Sequence, residues 1–462
     1  MQTRTEEDFL GKVQVPSDAY YGAFTIRAAN TFKLSNQKVD LRIIRAYIII
    51  KKAAALANSE LGVLDKRISG AIVRACDEAL NGKFNDQFIL DAFQAGAGTP
   101  MHMNVNEVLA NRANEILGGK KGEYKFVHPN NHVNLAQSSN DVTPTAIRLA
   151  ALQEIQKLRH ELLLLQKSFE KKSKEYAKTI KVGRTHLQDA VPISYGQVFD
   201  GYAQSISQDM RQIAHAQDAL SLLGIGGTAV GTSINTHPKF KDKIIAHLSK
   251  LTGLKLKKAA NSIQTTHDMN EFLFFSATLR NYAVTLNRIA NDLRLLASGP
   301  NAGIAEIILP EVEPGSSIMP GKVNPSVPEA VNMVSYQVMG NDFAILMACQ
   351  SGQLELNFAT PLIAYNLMQS MDFLRNGTKL FNEKCIAGLR VDEKRCKALL
   401  DSSFAYATAL TPHLGYSVVS RLVREAQQKN QSLKTLVLEK KLMDKKELEK
   451  LLSPEKLIRP HR

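Results

Sequence analysis

The chain is 462 residues long, 44% apolar and 22% charged, the make-up of an ordinary folded protein with room for two or three cores. Its formal net charge of +14 comes from dispersed lysines that alternate with acids, as in EKKSKEYAKTIK and EKKLMDKKELEK; these read as solvated helix faces rather than a nucleic-acid patch, and they draw small anions. No uncharged run reaches the ~18 residues that span a bilayer, the opening MQTRTEEDFLGKVQVP lacks an apolar signal core, and the four cysteines are scattered without C-x-x-C spacing, so a cytoplasmic chain with no membrane partner and no zinc cluster is expected.

Residues 1–139 read as a mixed, mainly helical region, with turn-rich segments around a helical stretch at RIIRAYIIIKKAAALANSELG. Residues 140–392 carry long helices. Ala151, Ile155, Leu158, Leu162, Leu165 and Phe169 recur at spacings of three and four, and Phe199, Tyr202, Ile206, Met210, Ile213 and Leu220 approximate the same stripe. Phe272, Phe275, Leu279, Tyr282, Leu286, Ile289, Leu293 and Leu296 keep it unbroken until Gly299-Pro300. Stripes of this length need partners throughout, so the expected fold class is mainly α with a central antiparallel long-helix bundle, deep enough to be shared between subunits. Residues 393–462 hold shorter helical patterns such as LGYSVVSRLVREAQQ and a charged tail, a small C-terminal helical domain.

Four segments place small polar side chains ahead of an expected helix start: GAGTPMHMN around Thr99, QSSNDVTP at Ser138 to Pro144, GRTHLQDAVP at Gly183 to Pro192, and PGSSIMPGKVNP at Pro314 to Pro325. Proline suits a helix's first turn, Ser, Thr, Asn and Asp suit its cap, and a helix N-terminus offers free N–H groups to an anion. One such segment would be a cap. Four, with Lys322 in one and His186 in another, describe a carboxylate site. The last segment offers two hydroxyls, a fixed positive charge and an amide, but nothing basic at neutral pH, so proton abstraction there requires an activated serine. GIGGTAVGTSIN fails as a dinucleotide loop because Ala229 stands where the third glycine belongs, and it reads as a tight turn. His102, His128 and His132 have no metal-ligand spacing, so no metal is expected.

Together these segments resemble the aspartase and fumarase superfamily, lyases that form fumarate from succinyl-type substrates without a cofactor. GSSIMPGKVNP resembles its signature. QSSNDVTPTAIRLAA, GRTHLQDAVPISYGQ, GGTAVGTSIN, NDLRLLASGPNAGIAEIILPE and SGQLELN are similar to the aspartase and class II fumarase branch, and the likeness runs from about Glu6 to SPEKLIRP. The resemblance implies a three-domain lyase fold whose bundle assembles into a tetrameric helical core, with active sites shared by three subunits. It also implies a small dicarboxylate substrate. EEDFLGKVQVPSDAYYGAFTIRAANTF, GAGT and KGEY resemble aspartases, which implies elimination of ammonia from aspartate; Ser139, a serine as in fumarases, and His186 keep hydration of fumarate open. His102 in place of an asparagine, Ser233 in place of a glycine and Thr411 in place of an asparagine depart from the family, and they keep open a lyase fold that only binds.

Carried over residue by residue, the resemblance makes Ser316 the base, with His186 and Glu329 completing the catalytic set. Thr99, Ser138, Ser139 and Ser317 would hold the carboxylate that gains charge. Thr185, Lys322 and Asn324 would bind the other carboxylate. Asn140 and His186 would contact the amino group, with Glu329 orienting the imidazole.

Overall fold

A computed structural model describes residues 2–459 of the chain; Met1 and residues 460–462, the end of the expected C-terminal region, lie outside the described residues. The chain forms two compact units, one from residues 1–158, 211–281 and 336–374, the other from 159–210, 282–335 and 375–462. The architecture is mainly helical, as expected, and among the described residues no helix is long and apolar enough to cross a membrane.

The chain opens with an antiparallel hairpin, β1 (Thr3–Asp8) and β2 (Gly11–Pro16), paired from Thr3↔Pro16 to Asp8↔Gly11. Four helices follow: α1 (Ala23–Thr31), α2 (Leu41–Glu60), α3 (Lys66–Leu80) and α4 (Thr99–Ile116). Asp40 caps α2 by accepting from the N–H of Arg42, and Asp65 caps α3 through the N–H groups of Arg67 and Ile68. Helix α2 corresponds to the helical stretch expected there and buries Ile43, Ile44, Tyr47 and Ile48, with Lys51 among them. Helix α4 starts after Gly98, whose left-handed φ of +70 favours glycine and where an added Cβ would crowd the Met101 and Thr143 side chains.

The long helices come next: α5 (Ser139–Glu175), α6 (Tyr195–Leu220), α7 (Phe240–Thr252), a single turn α8 (Gln264–His267), α9 (Asn270–Leu296), α10 (Ser326–Cys349) and α11 (Thr360–Phe381). The three expected stripes fall on α5, α6 and α9. Ala151, Ile155, Leu158, Leu162, Leu165 and Phe169 are fully buried, as are Phe272, Phe275, Tyr282, Leu286, Ile289 and Leu293. Helices α10 and α11 carry no comparably clean stripe, and the heptad count does not find them. Between α5 and α6, strands β3 (Ile180–Thr185) and β4 (Gln188–Ser194) form an antiparallel hairpin with an irregularity between Val182 and Arg184. GRTHLQDAVP is therefore a hairpin whose second strand leads into α6, and its polar residues Thr185 and His186 stand at the tip and not at the helix cap. Its β-branched residues and the two-residue turn decide the matter, and Pro192 sits in a strand.

At the C-terminal end α12 (Glu393–Ser402), α13 (Ala407–Leu414), α14 (Tyr416–Lys429), α15 (Leu433–Glu439) and α16 (Lys445–Leu451) follow. Leu410, Val419, Leu422, Leu436, Val437 and Leu448 give the last four a core of their own. The four cysteines are free, and burial pushes every thiol upward in pKa, which makes them the inert thiols expected.

Candidate active site

In the first unit the starts of α4 and α5 bring Thr99, Ser138, Ser139 and Asn140 to the wall of an open cavity of about 730 Å³, with His102 and Thr228 beside them. The carboxylate of Asp141 builds this wall. Its oxygens accept from the backbone N–H groups of Ser138 (3.0 Å), Gly226 (2.9 Å) and Thr228 (2.9 Å), so one buried side chain ties the glycine-rich turn to the first turn of α5. Burial raises this carboxyl above the usual range, against the pull of those three N–H groups and of Lys51. The Ser138 hydroxyl accepts from the N–H of Asn140 at 3.2 Å as a helix cap, and the Asn140 amide donates to the carbonyl of Ala229 at 2.7 Å. Ser233, where the resembled family has glycine, takes a left-handed φ of +62 in the same turn.

Behind Ser139 lies a buried polar set that sequence reasoning missed. His102 Nδ1 is 2.8 Å from the Ser139 hydroxyl, and its Nε2 is hydrogen-bonded to Lys51 Nζ. Lys51 also donates to Asn134 Oδ1 and Gln137 Oε1, each at 2.9 Å. Tyr47 stacks on the imidazole with ring centres 5.6 Å apart. Burial lowers Lys51 well below the usual lysine range, with Asp141 opposing, and burial with Lys51 lowers His102 likewise. A signal existed in the sequence: Lys51 falls on the Ile44, Tyr47, Ile48, Ala55 face of α2, where a lysine must find partners inside the protein.

In the second unit Thr185 and His186 are exposed at the tip of the β3–β4 hairpin. His186 and Leu187 form its two-residue turn, with φ of +56 and +60. Buried Glu306 anchors β3 through Arg184 (2.8 Å) and Lys181 (3.2 Å) and accepts the Tyr195 hydroxyl at 2.9 Å.

The Pro314–Pro325 loop precedes α10 and is held by its own backbone: Gly315 N–H to Lys322 C=O at 2.8 Å, and the Asn324 amide to Gly315 C=O at 2.7 Å. A Cβ on Gly315 would stand 2.6 Å from the Lys322 carbonyl, so the loop closes only over glycine. The half-buried Ser316 hydroxyl accepts from the N–H groups of Ile318 (3.2 Å) and Met319 (3.0 Å); Ser317 and Lys322 are exposed. Lys322 and Asn324 line a second cavity of about 590 Å³. Glu329, in the first turn of α10, faces Arg294 at 3.6 Å, and among the described residues no hydrogen bond joins it to His186. The expected site residues thus form one cluster at the starts of α4 and α5, one exposed hairpin tip and one polar loop. The arrangement supplies hydroxyl, amide and ammonium donors for carboxylates.

Residues 11–340 match the family described as Lyase, and residues 407–459 match the Fumarase C C-terminus. An aspartate ammonia-lyase of Bacillus sp. is 44% identical over 457 residues, covering 99% of this chain and 98% of that one. A class II fumarate hydratase of Campylobacter jejuni is 44% identical over 461 residues, covering all of both chains. The crystal structure of a recombinant class II fumarase from Schistosoma mansoni superposes with a TM-score of 0.96 at 38% identity and full coverage of both chains. A helical lyase fold with hydroxyl-lined helix starts and a Gly-Ser-Ser loop defines the class, and this chain belongs to the lyase family, in the superfamily of aspartases and class II fumarases.

Proposed function

We propose that the chain is an aspartate ammonia-lyase, catalysing reversible elimination of ammonia from L-aspartate to give fumarate without a cofactor. The observation that carries the reading is the donor cluster of Thr99, Ser138, Ser139 and Asn140 around one cavity wall, in a chain similar to aspartate ammonia-lyases along almost its whole length. Hydroxyls gathered on one cavity wall at two helix starts suit a reaction whose transition state pushes charge into a carboxylate.

Ser316, as alkoxide, removes the proton from the carbon next to the one that bears the amino group. Its hydroxyl already accepts two backbone N–H groups, which favour the anion, and Lys322 in the same loop adds positive charge once water is excluded. The electron pair moves into the adjacent carboxylate as an enolate-like intermediate, held by Thr99, Ser138, Ser139 and Ser317. It returns to form the double bond as the C–N bond breaks and ammonia departs. Thr185, Lys322 and Asn324 bind the second carboxylate, and Asn140 and His186 contact the amino group. Glu329 orients His186 in the assembled site. Ammonia leaves an ammonium group as a neutral molecule, so this chemistry omits the general acid that hydroxide loss demands.

The active form is a cytoplasmic homotetramer with each site built by three subunits. Exposed Met333, Tyr336, Phe343, Leu346 and Met347 on α10 support this reading, because such apolar area on one helix calls for a covering surface. Light scattering that finds a fully active monomer would exclude it.

A second reading, fumarate hydration, rests on the Campylobacter relative and on Ser139. Incubation of the purified protein with aspartate, then malate, while recording the ultraviolet absorbance of fumarate, separates the two. Fumarate from aspartate alone supports the ammonia-lyase, from malate alone the hydratase, and from neither a lyase fold that only binds.

A further inference from the structure

The Lys51–His102–Ser139 chain has a hydrogen-bond logic that the proposed chemistry does not use. The Asn134 amide nitrogen donates to the carbonyl of Gln137 at 3.3 Å, and the Gln137 amide nitrogen donates to those of Val133 and Leu135 at 3.1 Å. Both amides therefore turn their oxygens toward Lys51, and two of its hydrogens are committed to them. Its third position faces His102 Nε2. An ammonium there puts a hydrogen on Nε2's lone pair, so the imidazole carries its own proton on Nδ1 and donates to Ser139. The Ser139 hydrogen is then free to point into the cavity. A neutral amine instead accepts from Nε2–H, Nδ1 is bare, and Ser139 must donate backward, presenting only lone pairs to the cavity.

We propose that Lys51 and His102 form a buried proton-holding pair that sets the direction of the Ser139 hydroxyl, so that the pair binds one proton when a carboxylate occupies the cavity. This rests on the reading that Ser139 faces the substrate carboxylate. His102 is a positioning residue, acting through Ser139. The charged pair contributes both a donor and a positive charge behind the wall, and a carboxylate stabilises that charged state in return. The titratable groups facing the pair are Asp141 from α5, Cys76 from α3 and Tyr47 from α2 itself. His132, in the turn at 129–133, is engaged by the backbone N–H of His128 at 2.8 Å. Asp141 favours the charged pair and burial opposes it, which keeps its pKa low in the empty protein and leaves a bound anion able to raise it. The sign follows: affinity is full below the pKa of the empty pair and falls as pH rises toward the higher pKa of the occupied pair.

The test is calorimetry of succinate, a saturated dicarboxylate that cannot be turned over, in buffers of different ionisation enthalpy above pH ~7, where the ligand is fully ionised. The full-length wild-type protein is expected to take up protons on binding, with Kd rising up to about tenfold per pH unit. In His102→Asn the amide oxygen can only accept from Lys51, which then faces three oxygen acceptors and stays an ammonium, while the amide N–H serves Ser139; proton uptake therefore vanishes and Kd no longer follows pH. Lys51→Met also loses the uptake and binds more weakly throughout; should it misfold, the His102→Asn comparison still decides. Undiminished proton uptake in His102→Asn overturns this inference alone. A wild-type protein that binds no succinate overturns the proposed function and this inference with it.

Discussion

Two serine pairs lie among the candidate site residues, and folding treats them in opposite ways. Ser138 and Ser139 stand at a helix start tied down by the buried Asp141 and backed by His102 and Lys51. Ser316 and Ser317 sit in a loop fastened by its own backbone, between prolines, beside Ile318 at 84% exposure and Met319 at 48%. The first pair is fixed before any ligand arrives, as suits groups that stabilise developing charge. The second has few contacts beyond its own turn, as suits a group that must meet a proton and be covered while doing so.

The sharpest way to test this contrast is Ser316→Ala. It is expected to lower kcat about 10³-fold, within the range for loss of a positioned base, with substrate affinity kept and stability changed by about 1 kcal/mol or less. Steady-state kinetics with thermal denaturation checks it; normal kcat removes Ser316 from the mechanism. Asp141→Ala addresses the other pair and should reverse the pattern. Three backbone N–H groups lose their acceptor, so stability should fall by about 3 kcal/mol and KM should rise, read from denaturant unfolding and kinetics. A variant as stable as the parent would mean the first pair is no better fixed than the loop. Ser317→Ala removes one of several donors and should cost at most about 10²-fold in kcat; a loss exceeding that of Ser316→Ala would exchange the roles of the two serines. Smallest is His186→Gln, where an amide still accepts from an ammonium: a few-fold loss, against about tenfold for His186→Ala. Equal and complete losses would make the histidine an obligatory acid or base and favour hydration.

The long helices were legible wherever one stripe is apolar and the rest polar, as on α5 and α9. They were illegible on α10, where buried Val331, Val338 and Ile345 alternate with equally apolar but exposed Met333, Tyr336 and Phe343. Periodicity cannot separate a face buried within the chain from one that is merely apolar. The Ser138 hydroxyl at the start of α5 is readable because capping chemistry is local, and Thr99 is readable from the Thr-Pro that opens α4. The role of Lys51 is hidden in the sequence, since its partners Asn134 and Gln137 lie more than eighty residues further along the chain. The hairpin at Gly183–Pro192 is hidden because Thr, His and Asp serve caps and turns alike, and the turn depends on left-handed backbone that neither His186 nor Leu187 advertises.

That turn has a consequence for anyone engineering the protein. A designer would write Asn-Gly at the tip, where left-handed backbone is least costly, whereas this chain has His-Leu, with Leu187 71% exposed. Each such residue costs on the order of 1 kcal/mol. Replacing the pair with Asn-Gly should therefore raise thermostability while removing His186, so a stabilising library screened on melting temperature alone would enrich for weakened enzymes at this position, and selection for turnover would restore a locally unfavourable sequence.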